Sequence, residues 1–174
     1  MSDKDRPRIL LVEDNRELQE MFRVRLEMEG FEIAFADDGR GCLKALEEQQ
    51  PDLILLDLFM PVMDGYQVLE TLSNTPLYSE IPVVVFSVEG NPREIERAVA
   101  LGAVEYIVKG KMELERVVAR IQEILAEGRA RSLFEEVLLD LLVEKGIVDR
   151  REIRVRLREK RKEALMRRLK ERRS

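Results

Sequence analysis

From Arg8 to Leu125, short apolar runs alternate with stretches of helical period, and the runs end in charged or hydroxyl residues. Arg8-Ile9-Leu10-Leu11-Val12 ends in Glu13-Asp14-Asn15, and Asp52-Leu53-Ile54-Leu55-Leu56 ends in Asp57. Pro82-Val83-Val84-Val85-Phe86 ends in Ser87, and Ala103 to Val108 ends in Lys109. Continuous apolar runs of this length mark strands covered on both faces. Phe31 to Phe35 alternates instead, as a strand near a sheet edge does. Leu18, Met21, Phe22, Leu26 and Met28 keep helical spacing up to Gly30. A second helix from about Arg40 carries Cys42, Leu43, Ala45 and Leu46 and breaks at Pro51. A third carries Val68, Leu69 and Leu72 after the loop Met60-Pro61-Val62-Met63-Asp64-Gly65. A fourth starts at Pro92 behind Asn91 as N-cap and ends at Gly102, and a fifth holds Leu114, Val117, Val118, Ile121, Ile124 and Leu125. Five strand–helix units predict an α/β fold, a five-stranded parallel sheet with helices on both faces. Working groups in such folds gather at the carboxyl ends of the strands. Glu13, Asp14, Asp57, Ser87 and Lys109 all fall there.

Composition narrows the chemistry those groups can do. The chain has no histidine and one cysteine, Cys42. A Ser-His-Asp triad, a Cys-His dyad, a histidine zinc site and a CxxC redox pair are excluded. The lack of any disulfide leans toward a reducing, cytoplasmic compartment. The polar start Met1 to Arg8 lacks the apolar stretch of a signal peptide, and no run approaches the ~20 apolar residues of a spanning helix. A soluble protein is expected. Three carboxylates in one cleft repel one another and call for a cation. A cluster of oxygen ligands suits Mg²⁺. With a lysine and a hydroxyl beside it, the cluster points to phosphoryl transfer onto a carboxylate. Asp57, which ends a buried strand between Leu56 and Leu58, fits the nucleophile, and the Glu13-Asp14 pair fits the metal.

Residues 8 to about 127 resemble the receiver domain of two-component response regulators, the single-domain chemotaxis regulator included. The match rests on Glu13-Asp14, Asp57, Met60-Pro61-x-Met63-Asp64-Gly65, Ser87, Tyr106 and Lys109 in this order and spacing. The resemblance implies a doubly wound, flavodoxin-like sheet of order 2-1-3-4-5. It implies that Asp57 accepts a phosphoryl group from a sensor histidine kinase or phosphotransfer protein. It further implies Asp14 as a direct Mg²⁺ ligand, Glu13 as one acting through water, and the backbone carbonyl of Phe59 as a third. Lys109 would pair with the phosphoryl group, Ser87 would move to bond it, and Tyr106 would turn inward behind Ser87. The fourth helix, fifth strand and fifth helix, around Asn91 to Glu127, would form a switch face, also a route to a homodimer. Such a domain is a signalling phosphoacceptor rather than an enzyme. The chain departs from the commonest pattern at Gly110, where the family usually has a cis proline, and at Val88, where a smaller residue is frequent. Phe59 and Glu89 occupy positions that tune dephosphorylation in the family. Other α/β functions lack their motifs: no GxGxxG and no Walker loop is present, and Asp57-Leu58-Phe59 lacks the second acid of a haloacid-dehalogenase-like site.

Beyond this region the charge changes sign. Residues 1–128 hold 26 acidic and 14 basic side chains, and residues 129–174 hold 9 acidic and 16 basic. The expectation is a receiver domain over 1–128 and a basic helical tail over 129–174. Gly128-Arg129-Ala130-Arg131 reads as a hinge, and Ser132-x-x-Glu135 as a capping box opening a helix from Leu133 to Lys145. Gly146 fits a helix end, and Asp149-x-x-Glu152 opens a last, strongly basic helix from Arg150 to about Arg172. A helical hairpin this small cannot bury both apolar sides alone. Dimerisation or partner docking is the first reading, and packing on the acidic receiver is the next. The alternatives are a DNA-binding transcriptional regulator that uses the basic helix, and a phosphorylation-independent adaptor. The tail lacks the helix count of a helix-turn-helix domain, so nucleic acid is not favoured. Its thin apolar stripe argues against a membrane surface.

Overall fold

The computed structural model describes residues 6–144. The elements run β1 (Arg8–Val12), α1 (Arg16–Met28), β2 (Glu32–Ala36), α2 (Gly39–Glu48), β3 (Leu53–Leu56), α3 (Gly65–Asn74), β4 (Val83–Ser87), α4 (Pro92–Ala100), β5 (Glu105–Val108) and α5 (Leu114–Glu144). The five strands form one parallel sheet of order β2-β1-β3-β4-β5, the order implied by the resemblance. The central strands β3 and β4 are buried at every residue, which is why they read as unbroken apolar runs. β2 lies at an edge and is only half covered. It begins at Glu32, one residue later than the alternation from Phe31 suggested.

Alternate strand residues point to opposite faces. Leu10, Val12, Ile54, Leu56, Val83 and Val85 pack with Cys42 and Leu46 of α2, Val68, Leu69 and Leu72 of α3, and Ala98 of α4. On the other face, Phe22 of α1 meets Phe86 of β4 edge to face at 5.2 Å between ring centroids. Burial pushes the Cys42 thiol up to about 12, as befits an inert core residue.

Each helix following one of the first four strands starts on a side-chain cap. Asn15, Asp38, Asp64 and Asn91 accept from the backbone N–H groups of Leu18, Gly41, Gln67 and Glu94. The Asp64 cap is a full capping box with Gln67, which fixes where the loop after β3 ends.

One expectation for the tail is corrected. Residues 128–131 are not a hinge, and Ser132 does not open a new helix, because α5 runs without a break from Leu114 to Glu144. The flanking Ala126, Glu127, Arg129, Ala130 and Arg131 are good helix formers. They carry the helix through Gly128 at a cost of about 1 kcal/mol. The turn at Gly146, the start at Asp149 and the last basic helix lie outside the described residues. The chain divides into two compact units, Met1–Ile121 and Gln122–Ser174. Among the described residues no helix is long and apolar enough to cross a membrane.

Candidate functional site

The loops at the carboxyl ends of β1, β3, β4 and β5 meet in one acidic cleft. Parallel pairing brings them level: Val12 pairs with Leu56, Leu56 with Val85, and Ser87 with Val108. Just past these ends, Asp57 N–H donates to the Val12 carbonyl at 2.9 Å, and Lys109 N–H donates to the Ser87 carbonyl at 2.8 Å. The polar residues that close the apolar runs are thus fixed by their own backbones. Gly65 completes the floor. A Cβ there would lie 2.3 Å from the Asp57 carbonyl oxygen and 2.8 Å from Leu58 Cα, so only glycine lets α3 start this close.

Side chains converge on one point. Lys109 Nζ donates to Asp57 Oδ2 at 2.5 Å and to Glu13 Oε2 at 2.7 Å. Glu13 and Asp57 are almost fully buried, while Asp14 is exposed at the mouth. One carboxylate oxygen from each of Glu13, Asp14 and Asp57 lies within 4.8 Å of the others. Burial pushes the Glu13 carboxyl above its ordinary range, Lys109 pulls it down, and Asp57 pushes it further up. Burial disfavours charge on Lys109, but hydrogen bonds and attraction from Asp57 and Glu13 outweigh it and raise its pKa. Lys109 is therefore held as an ammonium ion. Backbone N–H groups of Phe59 and Asn15 also donate to Asp57 Oδ1 and Glu13 Oε1. Three carboxylates share this one ammonium, a donor set of oxygens that suits a hard divalent cation.

Ser87 is fully buried on the wall of the cleft, and its Oγ has no hydrogen-bond partner. A buried hydroxyl without a partner costs stability and marks a place where a group from outside could bond. Tyr106, on β5, is turned inward and buried, and its hydroxyl donates to the Glu89 carbonyl at 2.7 Å. Burial pushes the phenol up to about 12, and the nearby Ser87 hydroxyl offsets only part of that. Gly110 follows Lys109 with a φ of 76°, and no cis peptide bond occurs among the described residues. Phe59, Val88 and Met112 are exposed on the loops that follow β3, β4 and β5.

Two features escape a reading of the sequence. Gln19 is buried on α1, donating to the Glu13 carbonyl and to Asp37 Oδ1, and so braces the acidic loop. The only sequence signal was a polar residue within an apolar helical face. Tyr66, at the start of α3, donates its hydroxyl to Glu94 of α4, and the Arg97 guanidinium lies 3.9 Å over its ring. Burial and the Glu94 carboxylate both raise the Tyr66 pKa. This contact ties the helix after β3 to the helix after β4, and nothing in either local sequence announces it.

The family model for the response regulator receiver domain matches residues 9–122. The DNA-binding response regulator MtrA of Mycobacterium tuberculosis is 36% identical over 120 residues, covering 69% of this chain and 51% of MtrA. The transcriptional regulatory protein PrrA of the same organism is 34% identical over 119 residues, covering 68% of this chain and 50% of PrrA. The chain thus spans about half the length of these curated relatives. Among solved structures, the phosphorylated cyanobacterial phytochrome response regulator RcpA is similar at a TM-score of 0.63 and 31% identity, covering 70% of this chain and 94% of that one.

Proposed function

The chain belongs to the response regulator receiver family, and on that premise we propose that it is a phosphorylation-driven switch whose phosphoacceptor is Asp57. The observation that carries the reading is the geometry around one carboxylate. Asp57 Oδ2 touches the Lys109 ammonium at 2.5 Å, with Glu13 and Asp14 alongside and the unpartnered Ser87 hydroxyl buried nearby.

Each residue has a task in this reading. An Asp57 carboxylate oxygen forms a bond to phosphorus as the bond from phosphorus to the donor's imidazole nitrogen breaks. The product is an acyl phosphate, and the proton balance is met at the departing imidazole. Residues 1–174 contain no histidine, and the donor in this reading is the phosphohistidine of a sensor histidine kinase or phosphotransfer protein. Lys109 faces the incoming negative charge, and Ser87 Oγ donates to a phosphoryl oxygen. Glu13, Asp14, Asp57 and the Phe59 carbonyl would hold Mg²⁺, which neutralises the transferring oxygens when bound. Ser87 and the inward Tyr106 relay occupancy to the face made by α4, β5 and α5. The chain does not turn over a substrate, and its site of action is the cytoplasm.

PrrA is named a transcriptional regulatory protein and MtrA a DNA-binding response regulator. On their account the basic residues beyond 144 give a second reading, in which nucleic acid is the output partner. A band shift of duplex DNA that falls steeply with salt and vanishes on deleting residues 150–174 would support it.

Incubation with acetyl phosphate, followed by intact mass, tests the main reading. One phosphoryl adduct is expected with Mg²⁺, none with a chelator, and none in Asp57→Ala. An adduct that survives Asp57→Ala would overturn it.

A further inference from the structure

The acidic cleft makes no use of the apolar surface far along α5. Leu133, Phe134, Val137, Leu138 and Leu141 are all exposed, from 43% at Leu138 to 67% at Phe134. At helical spacing they cover one broad side over more than two turns. In sequence, eight of the eleven residues from Leu133 to Val143 are apolar. A helical stretch with so large an apolar share is one that more than one partner segment covers.

Charge indicates the partner. Residues 132–144 hold four acids and no base. Residues 150–173 hold 13 Lys and Arg against 4 Glu, with Ile153, Val155, Leu157, Leu165 and Leu169 interspersed. Two acidic stretches laid together repel, whereas acidic against basic attract. A single basic stretch folded back on its own acidic helix covers one side of it and leaves the other in water. In a two-fold dimer each acidic stretch has both its own basic stretch and the partner's to lie against, one on either side.

We propose that residues 132–174 form a homodimerisation module. In it, the basic stretch of a second copy of this chain lies against the acidic, apolar stretch 132–144 of the first, and the arrangement is reciprocal about a two-fold axis. Sedimentation equilibrium of the full chain tests this, without any phosphoryl donor, so the result stands apart from the phosphoacceptor reading. The full chain is expected to be a dimer at tens of micromolar, with dissociation promoted by salt. Val137→Glu combined with Leu141→Glu is expected to yield a monomer with an unchanged unfolding midpoint of the receiver. Because those changes also alter the helix itself, Glu135→Lys combined with Asp140→Lys serves as the second variant, expected to weaken the dimer by about tenfold or more. A monomeric full chain, with or without affinity for duplex DNA, overturns the proposal. So does a dimer that neither variant weakens.

Discussion

At the scale of single residues, the cleft rests on Lys109, whose ammonium bridges Glu13 and Asp57. Its role was legible in the sequence because an apolar run delivers it to a strand end, as β1, β3 and β4 deliver Glu13, Asp57 and Ser87. What was not legible is what reaches these residues from afar. Gln19 braces the Glu13 carbonyl from the next helix, and Tyr66 meets Glu94 across 28 positions of sequence. Val62 is a further case. It holds a φ of 68° in the loop after Asp57, a conformation that β-branched side chains resist, and its side chain is 70% exposed, so packing returns little. Val62→Asn should raise the unfolding free energy by about 1 kcal/mol, since asparagine tolerates the left-handed region. Urea denaturation checks this, and an unchanged or lower midpoint would count against strain at this position.

At the scale of elements, apolar runs and period were enough to place the strands and the helices between them, since core burial enforces both patterns. The end of α5 was misread for a physical reason. Gly128 and Ser132-x-x-Glu135 are true helix-end signals taken locally, yet α5 continues through them because its neighbours favour helix. Two glycines therefore predict opposite outcomes. Gly65→Ala places a Cβ against the backbone of Asp57 and Leu58, which cannot yield, and should cost at least about 2 kcal/mol while displacing the start of α3. Gly128→Ala meets nothing within 4 Å and should stabilise α5 by about 1 kcal/mol. Thermal unfolding of the pair distinguishes them. The Tyr66–Glu94 hydrogen bond, with Arg97 over the ring, is the tie between α3 and α4. Tyr66→Phe keeps the ring and removes only the hydroxyl, so amide exchange should accelerate across α4 and stay unchanged in the centre of α3. Equal acceleration in both helices would show a general loosening instead.

At the scale of the whole molecule, an acidic receiver is followed by a strongly basic stretch, and the modest net charge of −5 averages over the two. The receiver half was readable because its function needs a fixed set of side chains at strand ends, and a parallel sheet puts strand ends together. The remainder carries no such constellation, so its sequence gave composition and period but no chemistry. The cleft is proposed to phosphorylate one carboxylate, that of Asp57. Borohydride reduction after exposure to acetyl phosphate and Mg²⁺ tests it most directly, because an aspartyl phosphate is reduced to homoserine and peptide mapping then locates it. Homoserine at position 57 alone, absent when Mg²⁺ is chelated, is the predicted result; conversion at Glu13, Asp14 or another carboxylate, or none at all, would contradict it.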